Sequence, residues 1–204
     1  MRLSSPYSAS ITGGGFLFNE TNALLPLLLD ENAATLIKEE VLNNRILHIN
    51  SEKSRKRNIS EIKRRFEALP RAFWYDYMEM CEDDKRVALF FVLLKTYKIL
   101  FDFHVNVTMR RWRSASQDIS VDDLMMELNA ISAKDEFVDS WSDATKKKVA
   151  FGYLSILRHV NMLGGDDHLQ ALRPANVDFY FGIGEPWFLE ACLLEPYEIE
   201  TLKK

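Results

Sequence analysis

The stretch VALFFVLL, Val87 to Leu94, is apolar at eight consecutive positions, and Lys95 and Lys98 follow it. A helix that is apolar on every side has no face to offer water, so the rest of the fold must enclose it. Eight residues fall far short of the ~20 that a membrane span needs. The run therefore predicts a buried core helix, within a helix over 84–104 that can run on to Arg113; the β-branched Val105, Val107 and Thr108 leave its end open. The chain has the material to wrap such a helix. Of its 204 residues, 47% are apolar and 13 are Phe, and only six Pro and eight Gly interrupt it. Disordered chains are short of such residues, so the composition points to an ordered chain.

Apolar residues elsewhere also recur with a helical period. Helices are predicted over 20–30 and 32–43, with Pro26 as a kink or a start, over 54–68, and over 70–81, where Pro70 suits a first turn. After the linker SASQDIS (114–120), Ser120 and Asp123 make a capping box, and Val121, Leu124, Met125, Leu128 and Ile131 mark one helix face. A short helix follows at 135–140. Ser142 caps another that runs to about Leu163, where GGDD (164–167) breaks it. HLQALRP and NVDFYFG are the strand candidates, expected to pair as a small hairpin near 168–181. EPWFLEACLL and EPYEIETLKK read as two closing helices. The stretch FLFNETNALLPLLL is interrupted by Asn19, Glu20 and Asn22, so it reads as neither signal peptide nor span. Two cysteines, Cys81 and Cys192, are too few for a disulfide framework and fit a reducing cytosol.

The net charge of −4 conceals a separation of charge: half of the 26 Lys and Arg fall within 51–66, 110–113 and 146–148, while Asp178 to Glu200 is acidic. The segment SEKSRKRNISEIKRRF (51–66) carries seven basic residues and two Glu, beginning with Lys53 and Arg55. On a helical wheel Ile59, Ile62, Phe66 and Leu69 share an arc of roughly 80°, and Lys56, Arg57, Lys63 and Arg64 share one of about 120° on another side. Grouping like charges is unfavourable by a few tenths of a kcal/mol per i,i+4 pair. A polyanion would relieve this and add charge-assisted hydrogen bonds; a merely solvated helix face has the same composition.

Residues 120–163 read as helix, short helix, turn, long helix, the layout of a helix-turn-helix unit. On the last helix Val149, Tyr153, Ile156, Leu157, Val160 and Leu163 form the core stripe, with Lys147, Phe151 and Arg158 nearly opposite. Thr145, Lys146, Lys147 and Lys148 occupy its first turns, which in a recognition helix enter the major groove. A bundle that binds nothing, or binds protein, fits the same pattern. Trp141 belongs to the turn's packing. In MRRWRS, Arg110, Arg111 and Arg113 can grip phosphate with Trp112 alongside, or simply complement a helix C-terminus.

No catalytic constellation emerges. TGGGF (12–16) lacks the Lys-Ser/Thr of a P-loop and reads as a flexible lead-in. His48, His104, His159 and His168 share no metal-ligand spacing, and the two cysteines make no zinc knuckle. Glu61-Ile62-Lys63 has the form of a nuclease pair but falls in a helical context. No metal, cofactor or catalytic residue is expected.

YSASITGGGF, VLNNRILHINSEKSRKRNISEIKRRFEAL (41–69) and WSDATKKKVAFGYLSILRHVNML (141–163) together resemble the BrxA family of bacteriophage exclusion (BREX) defence islands, and the likeness extends to WFLEACLLEP. The resemblance implies a bacterial cytoplasmic, all-α protein with helix-turn-helix units, encoded beside a DNA methyltransferase and ATPases, that binds double-stranded DNA. By position, Ser54 to Arg57 match the family's basic segment and Thr145 to Lys148 the start of its later helix. The expectation is thus a non-enzymatic DNA-binding protein in three parts: an N-terminal unit (1–69), a central core and linker (70–119), and a C-terminal winged unit (120–204). The alternative is an adaptor that holds other defence proteins through its acidic C-terminal part and exposed aromatics such as Trp187 and Phe188. An RNA-binding reading ranks below both, because no single-strand stacking platform is recognisable.

Overall fold

The structure, a computed structural model, describes residues 5–202 and is all-α. α1 (Phe18–Leu29), α2 (Ala33–Asn43) and α3 (Glu52–Glu67) pack on one another around Leu24, Leu28, Ile37, Ile59 and Ile62. Pro26 lies inside α1. α4 (Arg71–Glu79) follows Pro70 and, with α3, covers α5 (Glu82–Thr96). The apolar run of α5 is enclosed as its sequence requires: every residue from Val87 to Leu94 is at most 7% exposed. Glu82, Asp83 and Asp84 in its first turn and Lys95 in its last complement the helix dipole.

The helix predicted over 84–104 is interrupted. Tyr97 adopts an extended backbone (φ −119°, ψ 104°), and the chain resumes as α6 (Lys98–Phe103), a π turn (His104–Thr108) and α7 (Met109–Trp112). At the break Tyr97 turns its hydroxyl to α3, where it donates to Glu61 at 2.7 Å and accepts from Arg65 Nε at 3.0 Å.

α8 (Val121–Ser132) begins with the predicted capping box, α9 (Glu136–Asp139) is the short helix, and α10 (Asp143–His159) is capped by Ser142. α10 ends earlier than predicted, because Asn161 reverses the chain with φ 61°. The expected hairpin near 168–181 does not form. Val177–Gly182 is a helix, α11, whose N-cap Asn176 accepts from Phe179 N at 3.1 Å. Helical spacing buries Val177 and Tyr180 on one side, which the alternation of a strand cannot do. The extended 168–172 segment bonds elsewhere instead, Leu169 N to Gln117 O and Leu172 N to Cys192 O. Among the described residues only isolated bridges occur, Asp118 with His168 and Leu163 with Leu169. α12 (Trp187–Ala191) and α13 (Pro196–Leu202) close the chain. Phe188, expected to be exposed, is 0% exposed, and Trp187 is half-buried against Phe91 and Phe101.

The π turn carries a buried polar chain. His104 Nε2 lies 2.7 Å from Ala191 O, which only accepts, so Nε2 bears the proton. Nδ1 then accepts from Tyr153 Oη at 2.8 Å, and Tyr153 accepts from Thr108 Oγ1 at 2.6 Å. Burial pushes the His104 imidazole down to about 4. The ring is neutral in the folded protein, whereas in the unfolded chain it takes up a proton from about pH 6.5 downward. Its contribution is therefore fully present above pH 6.5 and is lost as the pH falls towards 4, at ~1.4 kcal/mol per unit. Between pH 7 and 5 the wild type should lose ~2 kcal/mol more than His104→Gln. Urea unfolding at both pH values checks this; an equal loss in the two proteins refutes it.

Candidate nucleic-acid interface

α3 forms because Ser51 accepts from Ser54 N at 3.3 Å and Ile59 and Ile62 give it an inner face. Its outer face carries Lys53, Lys56, Arg57, Lys63 and Arg64, all exposed. Lys56 pairs with Glu52, and Lys63 with Glu67 at 3.9 Å; such exposed pairs hold their charges weakly. Arg55, predicted to join them, is 5% exposed. Its Nε donates to Val41 O at 2.8 Å and its Nη1 to Ile49 O at 2.6 Å, so it closes the end of α2 and the loop leading into α3.

The glycine-rich segment expected to be a flexible lead-in is an ordered strap. Ser10–Gly13 forms one 3-10 turn packed between α3 and α10. Phe16 meets the His159 ring at 5.5 Å on the α10 side. On the α3 side Arg65, 0% exposed, donates to Phe16 O at 2.8 Å and Gly15 O at 2.7 Å as well as to Tyr97. Burial, above all, pushes the Tyr97 phenol up to about 12, so its hydroxyl stays protonated and can donate to Glu61. Glu61, the acid of the nuclease-like triplet, is thus engaged by Tyr97 and by Ser10 Oγ at 3.3 Å. Arg64 donates to Ser10 Oγ at 3.0 Å and lies over the Tyr97 ring, and the Arg57 guanidinium rests on Gly13.

On α10, Lys147 and Lys148 are exposed, with Phe151 beside them. Lys146 is 7% exposed, because it falls on the same side as Val149 and Tyr153. Thr145 is half-buried, and its hydroxyl is engaged with Ser142 Oγ at 2.9 Å. Arg158 is exposed but ion-paired with Asp167. On α7, Arg111 is tied to Asp123, Arg110 is exposed and Trp112 packs against the core; Arg113, the C-cap just beyond the helix, is exposed. The structure therefore gathers Arg57 and Arg64 under the strap, sets Lys147 and Lys148 at the start of α10, and removes Arg55 and Lys146 from the surface. Among the described residues, Lys53, Arg57, Arg110, Arg113, Lys147 and Lys148 have no ion-pair partner. Arg65, Tyr97 and Ser10 were not singled out from the sequence. The signal for Arg65 was its place three residues after Ile62, at the edge of the apolar arc.

Among the described residues, no group of His, Cys, Asp or Glu is arranged to hold a metal, and no helix is long and apolar enough to cross a membrane. A model of the BrxA family matches residues 5–177, most of the chain. The chain belongs to the BrxA family. Membership makes it a component of a BREX phage-defence system. The crystal structure of an uncharacterized protein from Magnetospirillum magneticum has the same fold, with a TM-score of 0.79 and 21% identity over 92% of this chain and 98% of that one. No curated protein matches this BrxA-family chain.

Proposed function

We propose that this BrxA-family protein is a non-enzymatic, cytoplasmic component of BREX defence that binds double-stranded DNA through two helix-turn-helix-like units. α3 and the first turns of α10 are the contacting elements, with Arg110 and Arg113 extending the surface. The observation that carries this reading is the concentration of exposed, unpaired cations on α3, α7 and α10 in a protein whose net charge is −4. Cations fixed on helices suit phosphates that themselves lie at fixed spacing, and such contacts give affinity with little sequence preference. The adaptor reading loses an aromatic contact it relied on, because Phe188 is buried.

Fluorescence anisotropy with a labelled duplex, titrated at several salt concentrations, tests the proposal. With roughly six phosphates neutralised, affinity should fall about a thousandfold between 50 and 200 mM salt. Folded protein that leaves the duplex free at low salt would overturn the reading and redirect the search to a protein partner.

A further inference from the structure

We infer that the glycine strap holds Arg57 as a pre-positioned phosphate contact, and that Gly13 is the positioning residue that makes room for it. The inference rests on the duplex-binding reading above. Arg57 and Arg64 stand two turns apart on the outer face of α3, and both guanidiniums lie against the strap. Arg64 is fixed by Ser10 Oγ at 3.0 Å and by the Tyr97 ring, 5.1 Å from its Cζ. Arg57 approaches Gly13 so closely that a Cβ there would sit 1.6 Å from its Cζ. A side chain at this position would displace the Arg57 guanidinium, so glycine serves here for a reason other than backbone freedom, the positive-φ glycines being Gly15 and Gly184.

A structural arginine in this protein looks different. Arg55 and Arg65 are buried and direct their donors at backbone carbonyls. Arg57 remains exposed, and among the described residues it has neither an ion pair nor a hydrogen bond. The strap lies against its Cζ, Nη2 and Nε atoms, and no acceptor among the described residues takes its N–H groups, so they remain to be satisfied by an oxyanion such as a DNA phosphate. Holding a rotamer-rich side chain before the ligand arrives removes part of the ordering penalty on binding, which corresponds to about a two- to tenfold gain in affinity.

Gly13→Ala is a mild probe of this arrangement, because the atoms it displaces are the far end of a flexible side chain. Duplex anisotropy and thermal melting would be measured for wild type, Gly13→Ala, Arg57→Ala and the double variant. Gly13→Ala should bind about two- to tenfold more weakly with its melting temperature unchanged, and should add nothing in the Arg57→Ala background. Arg57→Ala itself should reduce the salt slope by about one. Arg57→Lys, which keeps the charge but loses the flat fork, should weaken binding about as much as Gly13→Ala while keeping the slope. Wild-type affinity in Gly13→Ala or in Arg57→Lys overturns the inference, as does an equal Gly13→Ala loss with and without Arg57. In either case duplex binding by wild type shows that the wider reading survives; a wild type that does not bind removes both.

Discussion

Reversing Lys147 and Lys148 together to Glu should lower duplex affinity about a hundredfold, and reversing Lys53 and Arg57 together should do the same. Each pair removes two exposed cations that have no carboxylate partner among the described residues. Charge-assisted hydrogen bonds contribute ~1.5–3 kcal/mol each, so two lost contacts amount to ~3 kcal/mol before any new repulsion is added. Each double variant should also reduce the slope of log K against log salt by about two, since each phosphate contributes ~0.9. Arg158→Glu is the internal comparison. Its cation is already paired with Asp167, so its slope change should be less than one. Circular dichroism and anisotropy over a salt series are the measurements. If one pair has no effect, that helix is scaffold. If neither has any effect while wild type binds, the interface lies elsewhere. Arg55 and Lys146 are unsuitable for this test. Both are buried, and their loss would damage the fold whether or not DNA is bound.

Much of this was legible from residue spacing. The enclosed α5, the capping box at Ser120 and Asp123, and the inner faces of α3 and α10 all follow from periodicity and local hydrogen bonding, which a single chain records directly. Even the two misplaced cations obeyed the wheel. Arg55 is one turn before Ile59, and Lys146 one turn before Val149 and Ala150, so both fall on the inward side. Reading the basic run as one block hid that. What spacing could not supply was long-range pairing. The break at Tyr97 depends on an α3 cluster more than thirty residues away, and the order of TGGGF depends on Arg65. NVDFYFG was misread for a different reason: a short aromatic run suits strand or helix equally, and only Asn176 as a cap and the burial of Val177 with Tyr180 decide it.

Arg65→Met should destabilise the protein by ~3 kcal/mol, while Arg64→Met should change stability by less than ~0.5 kcal/mol although the two are neighbours. Arg65 is fully buried and supplies donors to Phe16 O, Gly15 O and Tyr97 Oη. Methionine has a similar length and no donor, so all three acceptors are left unsatisfied, at ~1–3 kcal/mol each. Relief of the guanidinium's own desolvation offsets part of that, because the ion has no carboxylate in direct contact. The unpaired acceptors outweigh this relief, since two of them are backbone groups that cannot move without releasing the strap. Arg65→Lys should recover little, because one ammonium cannot reproduce a fork that reaches three separate oxygens. Urea unfolding gives the magnitudes, and hydrogen exchange at the Gly14 and Gly15 amides, both of which donate to Ile11 O, reports whether the strap has detached. An Arg65→Met protein as stable as wild type, with its strap still protected, would show that apolar packing of Ile11 and Phe16 alone holds the segment. Loss of protection at the strap, with α5 still protected, would show instead that one buried cation ties the N-terminal segment to α3 and so to the surface proposed to meet DNA.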